Sequence, residues 1–73
     1  MNGFPPKEIV EARRKQFPCG AKVVLDYMDD AFAPKAGTEG RVLDVDDIGT
    51  VHVVWSTGQA LGAVYGEDRI HRV

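Results

Sequence analysis

A single cysteine, Cys19, stands among the seventy-three residues. No disulfide can close within the chain, and a reducing compartment is the setting that suits it. No apolar run approaches the roughly 20 residues of a membrane-crossing helix. The opening Met1-Asn2-Gly3-Phe4-Pro5-Pro6-Lys7 lacks a basic segment followed by an apolar one, so no secretory signal is read there. A cytoplasmic location without membrane association is therefore expected. Internal repeats and low-complexity tracts are also missing. Neither sign of charge dominates, with nine basic and eleven acidic residues and a net charge of −2, which excludes the strongly basic chains that hold nucleic acid by charge alone.

The familiar chemical constellations are missing too. Asp26, Asp29, Asp30, Asp44, Asp46 and Asp47 do not fall into a cation-binding D-x-D-x-D-G pattern with a following glutamate, and turn formation accounts for Asp46-Asp47 directly. His52 and His71 stand alone, without cysteine, serine or a second histidine at triad or zinc spacing. Cys19 lies in a Pro-Cys-Gly turn with no adjacent base to stabilise a thiolate. The glycines are dispersed rather than grouped as G-x-G-x-x-G or a phosphate loop, so they read as turn residues. No catalytic residue, cofactor or metal is expected, and an enzyme is not the reading the residues support.

What the chain does have is rhythm. From Gly37 to Gly62, glycines punctuate short apolar runs at nearly regular intervals, as in a small antiparallel sheet. Strands are predicted over about Ala21–Met28, Gly40–Asp46, Thr50–Trp55, Gln59–Val64 and Arg69–Val73. Val42 and Val45 are three apart rather than two, and a β-bulge between them would turn both toward the core. Val23, Leu25, Val51, Val53 and Leu61 complete the predicted core, with Ile70 pointing inward from the last strand. Residues 29–36, with Pro34, form a longer loop after the first strand. Pro5-Pro6 opens a helix over about Pro6–Gln16, ended by Phe17-Pro18. Ile9, Val10 and Phe17 share one arc of that helix; Arg13 lies among them and must extend past them to reach solvent. Two placements of the helix stay open, on its own sheet or on a partner.

The architecture expected is mainly β: a five-stranded SH3-like barrel over residues 21–73 with a short N-terminal α-helix in the 1–20 segment. An OB-fold competes, but no helix fits between Trp55 and Gln59. The two segments differ in charge. Residues 1–20 carry four basic and two acidic side chains, and residues 21–73 carry five and nine.

Pro18-Cys19-Gly20-Ala21-Lys22-Val23, Met28-Asp29-Asp30 with Ala33-Pro34, Gly37-Thr38-Glu39-Gly40, and Val45-Asp46-Asp47-Ile48-Gly49-Thr50-Val51-His52-Val53 followed by Trp55, Gly58, Leu61 and Gly62 resemble the bacterial and phage domain of unknown function four-three-one-four. The resemblance covers nearly all of residues 9–73. It implies an SH3-like barrel in a bacterial or phage cytoplasm, encoded on phages and mobile elements, and no established activity. That family tends to carry proline where Cys19 stands, which speaks against a function for the thiol.

Aromatic residues give the best functional signal. Tyr27, Phe32, Trp55 and Tyr65, with Asp29 and Asp30, are expected to line a groove that receives an extended peptide of a partner protein, basic or proline-containing in character. Trp55 also continues the inward face of Val51 and Val53, so core packing competes for it. The leading function is accordingly a non-enzymatic protein-binding module. Its expected setting is that of a phage- or mobile-element accessory protein acting on a host or element machine, with a defence nuclease such as a CRISPR effector as one target. The alternative is a nucleic-acid-binding accessory barrel using Arg13, Arg14, Lys15, Lys35 and Arg41, supported by Arg69 and Arg72. Against it, cations at the end of a helix complement its dipole, and Glu11 to Lys15 is a favourable i,i+4 pair. Both a monomer and a homodimer are compatible with the chain.

Overall fold

The computed structural model describes residues 5–73. A ten-residue helix, α1 (Lys7–Gln16), is followed by five strands: β1 (Lys22–Tyr27), β2 (Glu39–Val45), β3 (Val51–Trp55), β4 (Ala60–Ala63) and β5 (Arg69–Arg72). Pro6 precedes α1 with extended backbone, and its carbonyl accepts from the Ile9 and Val10 N–H groups. At the other end the Phe17 N–H closes on the Arg13 carbonyl, and Pro18 has no N–H to continue the helix. Glu8 in the first turn and Arg13, Arg14 and Lys15 in the last complement the helix dipole.

All five strands pair antiparallel in one sheet of order β4-β3-β2-β1-β5. The five strands and the single helix match the mainly β expectation. Closure does not: β4 and β5 are the two edges, no pairing joins them among the described residues, and the sheet is open rather than a closed barrel. Pattern alone fixes which face of a strand is apolar, but not whether the first and last strands of a sheet meet.

The predicted bulge is present. The β2–β3 register shifts between Val42 and Asp44, so Leu43 is displaced outward while Val42 and Val45 both enter the core. A second shift lies between Leu25 and Tyr27 where β1 meets β5. Val23, Leu25, Val42, Val45, Val51 and Val53 are buried as expected; Leu61 and Ile70 are half-buried against them. Phe17, just beyond α1, joins the same cluster, and Val10 on α1 is also buried. The helix therefore docks on its own sheet.

Gly40 on β2 shows how closely the strands approach. A Cβ there would lie 2.5 Å from Val53 Cγ1 and 2.7 Å from Trp55 Cε3, so only glycine leaves room for both side chains against β2. Gly49 has a φ of +82° in the β2–β3 turn, a region that side chains resist.

Candidate functional site

Two of the three basic residues that end α1, Arg13 and Arg14, are turned to the sheet. Arg13 Nε donates to the Gly49 carbonyl at 2.7 Å and Nη2 to the Ala63 carbonyl at 3.4 Å. Its guanidinium sits over two rings, 5.6 Å from the Phe17 centroid and 5.4 Å from that of Tyr65. Burial lowers the Arg13 pKa from its ordinary value and the Tyr65 hydroxyl opposes that fall; an arginine starting so high stays charged at neutral pH. Arg14 Nε donates to the Val45 carbonyl at 3.2 Å, and its Nη2 pairs with Asp47 at 2.8 Å. Arg41 Nη1 donates to the Gly20 carbonyl and Arg72 Nη1 to that of Gln16. Of the residues considered for nucleic acid, Arg13, Arg14 and Arg41 thus spend donors on main-chain carbonyls of their own chain. Lys15 and Lys35 are exposed and carry no ion pair among the described residues.

The turn that receives this clamp is itself built around Asp46. Its Oδ1 accepts from the Ile48 and Thr50 N–H groups, and its Oδ2 lies 2.9 Å from His52 Nε2. Burial alone would raise the Asp46 pKa; the His52 contact and the two N–H groups outweigh it and hold the carboxyl below its ordinary value.

The aromatic residues separate into three groups. Trp55 is a correction: it is 1% exposed, packed in the core, with Nε1 donating to the Leu61 carbonyl at 3.2 Å, and has no ring face to offer a partner. Inward continuation of β3 won over groove placement because the strand keeps its period of two to the last residue. Tyr27 and Tyr65, 55% and 43% exposed, do come together, lining a cleft of about 780 Å³ between α1, the end of β1 and the β4–β5 connection. Asp26, Glu67 and Asp68 supply its carboxylates, and Arg13 and Arg69 its cations.

Phe32 and Asp30 do not line that cleft. Asp30 Oδ1 accepts from the Phe32 N–H at 2.8 Å, while the Phe32 carbonyl accepts from Gln59 Nε2 at 2.6 Å. Both main-chain groups are held, and the ring is 78% exposed. Asp29 reaches the cleft through its backbone: its N–H donates to Asp68 Oδ1, while Asp68 Oδ2 accepts from the Val64 N–H. Asp68 was not singled out by sequence reasoning. Its partners lie 39 and 4 residues away, and only the β4–β5 connection around Gly66 hinted at an ordered turn. Asp26 is engaged as well, its carboxylate 2.9 Å from His71 Nδ1. Glu67 is the one cleft carboxylate that makes no hydrogen bond or ion pair among the described residues.

No group of three or more histidine, cysteine, aspartate or glutamate side chains is placed to hold a metal ion among the described residues. No helix among them is long and apolar enough to cross a membrane.

These features define a small, mainly β domain whose N-terminal helix is clamped to an open five-stranded sheet and which carries a tyrosine-lined cleft. The family described as Domain of unknown function (DUF4314) matches residues 6–73, and the chain belongs to it. No curated protein matches the chain.

Proposed function

We propose that the chain is a non-enzymatic protein-binding module whose cleft receives an extended segment of a partner, carrying arginine or lysine next to proline. The observation that carries this reading is that Tyr27 and Tyr65 line one cleft together with the unpartnered Glu67. Tyrosine faces take up proline rings and cations alike, and a carboxylate beside them favours the cation. The Arg13 guanidinium already rests over the Tyr65 ring, so the ring face accepts this chemistry within the chain itself. Lining charges favour a basic occupant too, with three carboxylates against two guanidinium groups. Such a module would act by covering part of another protein's surface, and an accessory role on a host or element-encoded machine, including a defence nuclease, extends the same proposal. An SH3-like relationship is consistent with an aromatic cleft at the end of a small antiparallel sheet.

A titration followed by amide chemical shifts tests it, using a synthetic decapeptide that alternates arginine and proline and a glutamate–proline counterpart. The basic peptide is expected to shift amides at Tyr27, Tyr65 and Glu67. Tyr27→Ala should weaken it about tenfold or more, with stability changed by no more than about 0.5 kcal/mol because the ring is exposed. Equal binding of both peptides, or shifts confined to another face, would discard the cleft as the recognition surface.

A further inference from the structure

Phe32 is the most exposed large apolar side chain among the described residues, yet both of its main-chain polar groups are hydrogen-bonded. The N–H is fixed by Asp30 and the carbonyl by Gln59, while Asp68 holds the Asp29 N–H at the loop's entry. A loop stabilised in this way presents its ring at a low cost in conformational entropy, which is what a binding anchor requires. The ring has no receptor in its own molecule, and two carboxylates, Asp29 and Asp30, precede it.

A matching surface lies across the β3–β4 turn. On the outer face of the sheet a shallow groove of about 330 Å³ has Val54, 40% exposed, among its lining, and Lys22, Arg41 and Ser56 around it. The register places Arg41 opposite Val54 and beside Lys22, so two cations rim an apolar patch; Arg41 gives only Nη1 to the Gly20 carbonyl, and its other donors have no partner among the described residues. Glu39 pairs with Lys22 at 3.2 Å, leaving the groove with a positive balance. Ring and groove flank the same turn: Gln59 grips the Phe32 carbonyl on one side, and the Ser56 N–H bonds the Glu39 carbonyl on the other.

We propose that the chain associates with a second copy of itself, Phe32 of each seating on the Val54 groove of the other, with Asp29 and Asp30 facing Lys22 and Arg41. An acid-flanked ring on one surface and a cation-rimmed apolar groove on another are complementary only between molecules, because the loop is tied back by Gln59 in its own. None of the side chains this contact uses lines the tyrosine cleft. A single ring and a few rim charges make a small interface, so association is expected to be weak and salt-sensitive.

Sedimentation of the full chain from about 10 μM to about 1 mM, at low and high salt, tests the contact over a range that reports weak association. Reversible self-association that weakens with salt is expected. Phe32→Ala and Arg41→Asp should each raise the dissociation constant about tenfold or more, and Asp29→Arg combined with Arg41→Asp should restore it. Asp29 suits the charge swap because only its N–H is used within the fold. Amide spectra of each variant establish that it is folded. Isotope-filtered contacts between the Phe32 ring of one copy and the Val54 methyls of another would place the ring directly. A chain that stays monomeric at about 1 mM, or association indifferent to Phe32→Ala and Arg41→Asp, overturns the proposal and leaves Phe32 to a different protein.

Discussion

Arg13 and Phe32 both lie outside the strands, and either could be taken for a contact residue; the structure commits the first and leaves the second idle. At the helix end, Arg13 and Arg14 span from α1 to the carbonyls of Val45, Gly49 and Ala63, so the charges that suggest an external anion are occupied within the molecule. At the loop end, hydrogen bonds hold the chain around Phe32 but never involve its ring. The difference teaches that unspent bonding capacity, rather than residue type, separates a surface that can recruit a partner from one that maintains the fold.

Substitution at the two kinds of site should break the molecule unequally. Trp55→Ala empties the space over Gly40 and strands the Leu61 contact, and a loss of about 3–5 kcal/mol is expected. Phe32→Ala, by contrast, should stay within about 0.5 kcal/mol. Urea unfolding monitored by tryptophan fluorescence serves Phe32→Ala, and circular dichroism serves both. Comparable losses would mean that the Phe32 ring is scaffold, and the contrast between the two ends would collapse.

The helix clamp comes next in size. Arg13→Ala leaves two part-buried carbonyls without their donor and removes the guanidinium from both rings, for an expected loss of about 1–3 kcal/mol. Lys15→Ala, two positions on and exposed, should change stability by at most about 0.5 kcal/mol. Hydrogen exchange of the α1 amides gives the sharper measurement, because a helix held chiefly by Arg13 should lose protection before the sheet does. Unchanged protection in Arg13→Ala would assign the docking of α1 to Val10 and Phe17 alone.

Much of the fold was legible because it is encoded at short range. The three-residue spacing of Val42 and Val45 announces the bulge, Pro6 and Pro18 bracket the helix, and the period of two through Val51, Val53 and Trp55 marks a half-buried strand. The open sheet was not legible, since whether β4 meets β5 depends on the path of the whole chain. The candidate site divides in the same way. Tyr27 and Tyr65 could be named as groove aromatics, but Arg13 finds its carbonyls 36 and 50 residues away, and Asp68 finds the Asp29 N–H 39 residues back. No local pattern specifies such partners, and they decide which charges remain available to a ligand.

The smallest expected effect tests whether the β2–β3 turn belongs electrostatically to the clamp. Folding lowers the Asp46 pKa from its ordinary 3.8: burial works in the opposite direction, but the His52 contact and the N–H groups of Thr50 and Ile48 prevail. The folded state thus prefers the ionised carboxyl, and the resulting stabilisation is complete above the unfolded value and lost as pH falls through the lower folded one. Asp46→Asn keeps a turn-capping oxygen and removes the charge, so the stability gap between wild type and variant should be widest near neutral pH and close below about pH 3.8. Taking the difference cancels the other carboxylates, which titrate in both proteins. Urea midpoints across that range provide the measurement. A gap that stayed constant with pH would show that Asp46 acts through turn geometry alone, and that Arg13 and Arg14 grip a turn whose charge is immaterial to its shape.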